Sequence, residues 1–335
     1  MRLVPPSHHT RIVVVTARRG PMSNVCKALM NGVELAFRQL RDIGDLSEKI
    51  RPEIYDDACD ASQAIRKAIG IFSTDTRFVI VHLCSDATSA ALNIYRAAGM
   101  LHLIPAATSN GIHLSDNGLQ FRICGNDGRQ AELMIDYATA EFPRHAFAIV
   151  AEAGVTGDSQ KQALLDRLKH HRRKTCKVLY IERDTNLAKI FRGADSNYPR
   201  AIFYAGHNAE IMRRVLLHLG VTQPNSLLLC FEAGGNVDLT GLSASARRTL
   251  RFVRLLPNGQ NTGSDDQFQQ YRLLGQAAGE VLLEALTRSA SPKPPDVAMI
   301  IHGYQFETCI GRLSFDSDGE SSGHHYAVVE PAAAL

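Results

Sequence analysis

Short apolar runs rich in β-branched residues alternate with stretches of helical period along most of this chain. That alternation restricts it to the open α/β class. Ile12-Val13-Val14-Val15 is the first such run, and Leu29, Val33, Phe37 and Leu40 follow at helical spacing with Glu34, Arg38 and Arg41 between them. The pair predicts a strand buried on both faces and then an amphipathic helix. Ile54-Tyr55, Phe78–Val81 and Leu101–Ile104 read as further strands, the last ended by Pro105. Asp60 is placed to cap a helix carrying Ile65, Ala68, Ile69 and Phe72. Ala90, Leu92, Ile94 and Ala97 populate the next helix, which stops near Gly99. Strands joined through helices pair in parallel with right-handed crossovers.

A second series of the same kind begins after Asn126. Helix Gln130–Tyr137 leads to strand Ala146–Val150, and helix Gln160–Leu168 to strand Lys177–Ile181. Strand Ile202–Tyr204 precedes helix Ala209–Leu219, which Gly220 is expected to end. Ser226–Phe231 and Phe252–Leu256 read as strands, Gln267–Leu286 as a long helix, and Ser289–Pro295 as a surface loop. In the tail, Cys309–Phe315 alternates, Asp318-Gly319 supplies a turn, and Tyr326–Val329 is expected to return as the second strand of a hairpin. A chain of 335 residues accommodates about two domains. Two α/β halves place a ligand site in the cleft between them, outside the C-terminal ends of the strands.

Charge and motifs narrow the function. The net charge of +3 carries no signal for nucleic acid. The densest basic run, Lys169-His170-His171-Arg172-Arg173-Lys174, follows a helical pattern and reads as a solvated helix end. No apolar run reaches 18 residues, so no membrane-spanning helix is expected. The start, Met1 to Thr10, has no apolar core of a signal peptide. It reads either as the N-terminus of a cytoplasmic protein or as a chain whose export signal lies outside it. Seven cysteines include no C-x-x-C pair, which leaves zinc-ribbon and thioredoxin readings unsupported. There is no G-x-G-x-x-G after the first strand, no Walker A sequence and no G-x-S-x-G elbow. Gly234-Gly235 reads as a turn, His324-His325 as an exposed loop, and His8-His9 as a chain end or an adventitious metal contact. Neither cofactor nor metal nor enzymatic activity is expected.

Two strand ends are more informative. Val81-His82-Leu83-Cys84-Ser85-Asp86-Ala87-Thr88 and Ile104-Pro105-Ala106-Ala107-Thr108-Ser109 each run from an apolar strand into small hydroxyl-bearing residues. Small residues let backbone N–H groups approach a ligand, and a hydroxyl both donates and accepts. A carboxylate held there near a helix N-terminus is favourable. Simple capping by Ser85 and Thr108 is the other reading.

These segments, together with Asp56-Asp57-Ala58-Cys59-Asp60-Ala61-Ser62-Gln63-Ala64, Phe121-Arg122-Ile123-Cys124-Gly125 and the tail Ile310–Glu320, carry a resemblance. The chain resembles the Leu/Ile/Val-binding proteins, the periplasmic substrate-binding subunits of branched-chain amino-acid ABC transporters. The likeness runs from Arg11 to about Val329, close in the first half and looser after Ala153. It implies a type I periplasmic-binding fold, two doubly wound parallel-sheet lobes joined by three hinge crossings near Cys124, Arg254 and Ser322. The N-terminal lobe would span 1–123 and 255–322, the C-terminal lobe 124–254 and 323–335. The lobes would close on one small ligand by hinge motion.

The same resemblance implies roles for single residues. Ser85, Ala106 and Thr108 match positions that hold a ligand α-carboxylate and part of its ammonium. Glu232 matches the acidic partner of the ammonium, and Cys59 and Cys84 match a disulfide. The departures are at Val25, Thr156 and His207, where relatives carry aromatic residues around the ligand. The head-group clamp would be kept and the side-chain pocket rebuilt, so leucine is not assumed as the ligand. The chain is expected to be a periplasmic solute-binding protein, a monomer that delivers an amino acid or similar zwitterion to an ABC permease. The alternative is a cytoplasmic ligand sensor of the amide-sensor kind on the same fold.

Overall fold

The computed structural model describes residues 10–41, 52–114, 117–171, 176–191, 199–257, 266 and 268–331. The chain falls into two units. Unit 1 holds the described residues up to Gly125, Pro257, and Phe268–His325; unit 2 holds Asn126–Leu256, Asp266 and the chain from Tyr326 on.

Unit 1 opens with β1 (Ile12–Thr16), α1 (Ser23–Arg41), β2 (Pro52–Asp56), α2 (Ala61–Phe72), β3 (Phe78–Val81), α3 (Ser85–Ala97), β4 (Leu101–Ile104) and β5 (Gln120–Arg122). The strands form one parallel sheet in the order β2-β1-β3-β4-β5. Unit 2 follows with α4 (Asp127–Glu141), β6 (Phe147–Glu152), α5 (Val155–His170), β7 (Cys176–Ile181), α6 (Leu187–Ile190), β8 (Ala201–Ala205), α7 (Ala209–Thr222) and β9 (Leu227–Cys230). A 3₁₀ turn (Glu232–Asn236), α8 (Ala244–Thr249) and β10 (Leu250–Leu255) complete that stretch. The chain then supplies unit 1 with α9 (Gln269–Arg288), α10 (Pro294–Gly303), β11 (Phe306–Thr308), β12 (Gly311–Phe315) and β13 (Ser321–Ser322), and ends in unit 2 with β14 (Tyr326–Val329). The second sheet runs β14-β10-β9-β8-β6-β7, parallel except for β14.

The apolar runs become strands covered on both faces. In unit 2, Val150, Ile202, Tyr204, Leu228 and Phe252 pack into one core with α7 and α8. Phe147, Ile149, Phe203, Leu229 and Val253 pack into another with α4 and α5. In unit 1, Val13, Val15, Val79 and Val81 pack against Ala64, Ala68, Ile71, Ala87, Ala91 and Tyr95. Each buried Val, Leu, Ile or Phe contributes about 1.5–3 kcal/mol relative to exposure. Helices α1 and α9 lie against each other through glycines: a Cβ on Gly32 would sit 1.8 Å from the Arg272 carbonyl oxygen, and one on Gly275 2.1 Å from that of Leu29.

Local signals place the caps as expected. Asp60 caps α2, its Oδ1 accepting from the Gln63 N–H at 2.8 Å, and Gly99 ends the α3 turn at φ +64°. The basic run begins in the last turn of α5, with Lys169 and His170; 172–174 lie outside the described residues.

Several expectations are corrected. Tyr326–Val329 does not pair with Cys309–Phe315. It runs antiparallel to β10, and β12 instead takes β11 and the two-residue β13 as partners. Gly220 does not end its helix; α7 runs to Thr222, and the glycine is needed because a Cβ there would lie 2.6 Å from that of Ala246. The loop expected over Ser289–Pro295 gives way at Pro294 to α10, with proline at its first positions, where the missing N–H costs nothing. In α2 the buried face is Ala64, Ala68 and Ile71, whereas Ile65, Ile69 and Phe72 are 38, 56 and 52% exposed. No helix among the described residues is long and apolar enough to cross a membrane.

Candidate ligand-binding site

In unit 1 the parallel sheet delivers β3 and β4, neighbours in register, to one edge, and the turns that follow them carry the candidate residues. Ser85 is the first residue of α3. Its N-cap, Cys84, makes no side-chain capping bond, so the first N–H groups of that helix have no side-chain acceptor at the cap. Ser85 Oγ accepts from the Ser109 N–H at 3.3 Å, which links the two turns and leaves the Ser85 proton for a further acceptor. Ala106 and Thr108 lie on the second turn. Both are buried, and the Thr108 hydroxyl makes no hydrogen bond with a described residue. Two hydroxyls with donors to spare, beside a helix N-terminus, can hold a carboxylate.

Arg122 holds the second turn from below. The side chain is fully buried on β5, donating from Nη1 to the Ser109 carbonyl at 3.0 Å and from Nη2 to the Ile112 carbonyl at 2.9 Å. Its Nε lies 3.3 Å from Glu320 Oε1. In the sequence Arg122 stands only as part of the Phe121–Gly125 motif; an arginine inside an apolar strand is the signal for a buried structural charge. Asp86, in the first turn of α3, was also passed over. Its charge is favourable at that end of the helix, and its Oδ1 is buried without a hydrogen-bond partner among the described residues.

The first turn is tied down at its base. Cys59 and Cys84 form a disulfide, with Cα atoms 5.5 Å apart. Cys26, Cys124, Cys230 and Cys309 take no part in a disulfide, and the Cys176 side chain lies outside the described ones. Ala58, Cys59 and His82 are the non-glycine residues with positive φ among the described residues, at 53, 53 and 32°. Each such conformation costs of order 1–3 kcal/mol and persists only where the surroundings enforce it. Here His82 Nδ1 lies 2.6 Å from Asp57 Oδ2, Tyr95 Oη is 3.2 Å from His82 Nε2, and all three residues are buried. Burial, followed by the Asp57 charge, pushes the Tyr95 hydroxyl well above its ordinary pKa.

Val25 is placed differently. It is the third residue of α1 and is buried as part of the apolar core.

In unit 2 the candidates occupy the C-terminal ends of β6, β8 and β9. Thr156 is half-buried in the first turn of α5, which Gly154 opens at φ +116°. His207 is exposed in the turn between β8 and α7. That turn is pinned on both sides: the Gly206 N–H donates to Gln160 Oε1 at 2.8 Å, and the Asn208 N–H to Glu152 Oε1 at 2.9 Å. Glu152, at the end of β6, also accepts from the Tyr204 hydroxyl. Burial and then the Glu152 carboxylate push the Tyr204 and Cys230 groups up from their ordinary pKa values. Glu152 was missed by sequence reasoning; its signal was an acid at the end of an apolar run. Glu232 starts the 3₁₀ turn after β9, half-buried, with its N–H donating to Gln130 Oε1 at 3.1 Å. Among the described residues no group of His, Cys, Asp and Glu is arranged to hold a metal ion.

Comparison with known proteins agrees with this architecture. A family model described as periplasmic binding protein matches residues 9–209. The leucine-specific-binding protein of Salmonella typhimurium is 24% identical over 338 residues, covering 96% of this chain and 90% of that protein. The Leu/Ile/Val-binding protein of Escherichia coli K12 is 24% identical over 336 residues, with the same shares. Among solved structures, a leucine binding protein from Thermotoga maritima superposes with a TM-score of 0.80 at 17% identity, over 97% of this chain and 96% of that one. A solute binding protein from R. palustris in complex with benzoate gives 0.76 at 14%, over 96% and 95%.

Proposed function

Because this chain belongs to the periplasmic binding protein family, we propose that it is the solute-binding component of an ABC importer and captures an amino acid or similar small zwitterion. The observation that carries the reading is the pair of linked turns in unit 1. There Ser85 and Thr108 keep hydroxyl donors free beside the uncapped start of α3. In this reading the ligand carboxylate lies on Ser85, Ala106 and Thr108, and its ammonium pairs with Glu232. The two units close on the ligand about the chain crossings near residues 124, 254 and 322. The closed monomer then presents the ligand to the permease in an oxidising compartment, where the Cys59–Cys84 bridge persists. No chemistry is performed on the ligand.

Ligand choice follows from the other positions. Thr156 and the exposed His207 would line the part of the pocket that receives the ligand side chain. A polar or larger side chain meets them better than leucine does, because an aliphatic one would leave their polar atoms unpaired at about 1–3 kcal/mol each.

A calorimetric panel of the twenty amino acids, with benzoate as a carboxylate lacking the ammonium, tests both statements. A polar or aromatic amino acid is expected to bind, and Ser85→Ala and Thr108→Ala to weaken it. Benzoate binding tighter than every amino acid would remove the zwitterion from the reading. Leucine, isoleucine and valine leading the panel would remove the rebuilt pocket.

A further inference from the structure

The Cys59–Cys84 bridge is not the only link between the two turns it joins. Asp57 spans the same gap with its two carboxylate oxygens: Oδ1 accepts the Cys59 N–H at 3.1 Å, and Oδ2 meets His82 Nδ1 at 2.6 Å. Tyr95, on the body of α3, closes the chain of contacts at His82 Nε2. Every proton in this set has an acceptor when His82 donates from Nδ1 to Asp57 and the Tyr95 hydroxyl donates to Nε2. Among the described residues no other side-chain bond of His82 or Tyr95 competes. Two of the three described non-glycine residues with a positive-φ backbone, Cys59 and His82, are held by this set, and Ser85 follows three positions after His82. Other groups that face the set are the Cys26 thiol on α1, His102 on β4 and Asp56 on β2. None of these three is hydrogen-bonded to the side chain of Asp57, His82 or Tyr95.

We propose that Asp57, His82 and Tyr95 form a second, non-covalent brace that works in parallel with the disulfide and keeps the Ser85 turn formed when the disulfide is reduced. The three are positioning residues. Their bearing on ligand binding rests on the reading of Ser85 given above. The brace itself is independent of it. Two links that hold the same pair of turns must be coupled: each preorganises the other, and the coupling is reciprocal. The brace therefore draws the two cysteines together and favours the bridge, and the bridge steadies the brace.

The test uses the whole chain, oxidised and then reduced with dithiothreitol. The S–S bond takes up two electrons and two protons to give two thiols, and the dithiol closes to its own cyclic disulfide. Hydrogen exchange is read at the Thr88 amide, which donates to the Cys84 carbonyl at 3.0 Å. The Ile149 amide of β6 serves as a control in the other unit. In the wild type, reduction is expected to leave Thr88 protected. In Asp57→Ala, reduction is expected to speed Thr88 exchange about tenfold, and the dithiothreitol needed for half-reduction to fall by about the same factor.

That second readout separates a brace coupled to the bridge from a group that merely supports the fold, which would leave the thiol–disulfide equilibrium where it was. Tyr95→Phe, which removes only the hydroxyl, is expected to shift the equilibrium in the same direction, and decides the matter if Asp57→Ala does not fold. Loss of Thr88 protection on reducing the wild type overturns the proposal, as does an equilibrium unchanged in the variants. No ligand enters either readout, so the brace and the amino-acid reading fail separately.

Discussion

Acid should unfold this protein partly through one histidine. His102 lies on β4, fully buried, and neither ring nitrogen has a hydrogen-bond partner among the described residues. Burial, with His82 and Arg96 adding to it, lowers its pKa from 6.5 to about 3. The unfolded chain therefore binds a proton that the folded chain refuses between those two values. Stability is intact above about pH 6.5 and falls as the pH drops toward 3. The slope approaches about 1.4 kcal/mol per pH unit, and the loss accumulated by pH 5 is about 2 kcal/mol. Against a total of about 5–15 kcal/mol for an ordinary protein, that is a large share.

The perturbation is His102→Leu, which removes the titrating group and its two unmet nitrogens together. Urea unfolding followed by circular dichroism suits a chain without tryptophan. At pH 8 the variant should be at least as stable as the wild type, because an unsatisfied buried polar group costs about 1–3 kcal/mol. Between pH 8 and pH 5 its advantage should widen by about 2 kcal/mol. Parallel stability curves across that interval would refute the reasoning.

Other substitutions test the remaining parts. Glu232→Ala is expected to weaken binding of the amino acid found in the calorimetric panel by about 2–5 kcal/mol while the empty protein still folds, since it strands a buried ammonium; equal affinity would remove Glu232 from the clamp. Arg122→Ala should cost about 3–5 kcal/mol in chemical unfolding, because it removes a buried guanidinium that holds two loop carbonyls and lies against Glu320; a loss below 1 kcal/mol would contradict the buried role. Gly275→Ala should lower stability by about 1–3 kcal/mol or more, because its Cβ would enter the Leu29 carbonyl; a raised melting temperature would mean that α1 and α9 can separate freely.

Much of the fold was written locally. β-branched runs, helical spacing, the Asp60 cap and the glycine after α3 act within a few residues of themselves, and each reappears in the structure where sequence placed it. The turns after β3 and β4 were legible as apolar strands that run into small hydroxyl-bearing residues, whereas the disulfide was implied only by the family resemblance. What the chain did not disclose is which segments meet. β14 follows a turn as the second strand of a hairpin would, yet pairs with β10 more than 70 residues earlier, because pairing is decided by which edge is open when the sheets assemble. Gly220 resembles a helix stop and is a contact with Ala246. Ile65, Ile69 and Phe72 share a helical stripe that is left exposed, because small residues on the adjoining face let α2 lie close to the sheet and α3. Of the polar groups that organise the site, Asp57 and His82 gave no sign of being buried, and Arg122 gave only its place in an apolar strand. Their burial is tolerable only because partners from distant segments satisfy them, and those partners exist only once the chain has folded.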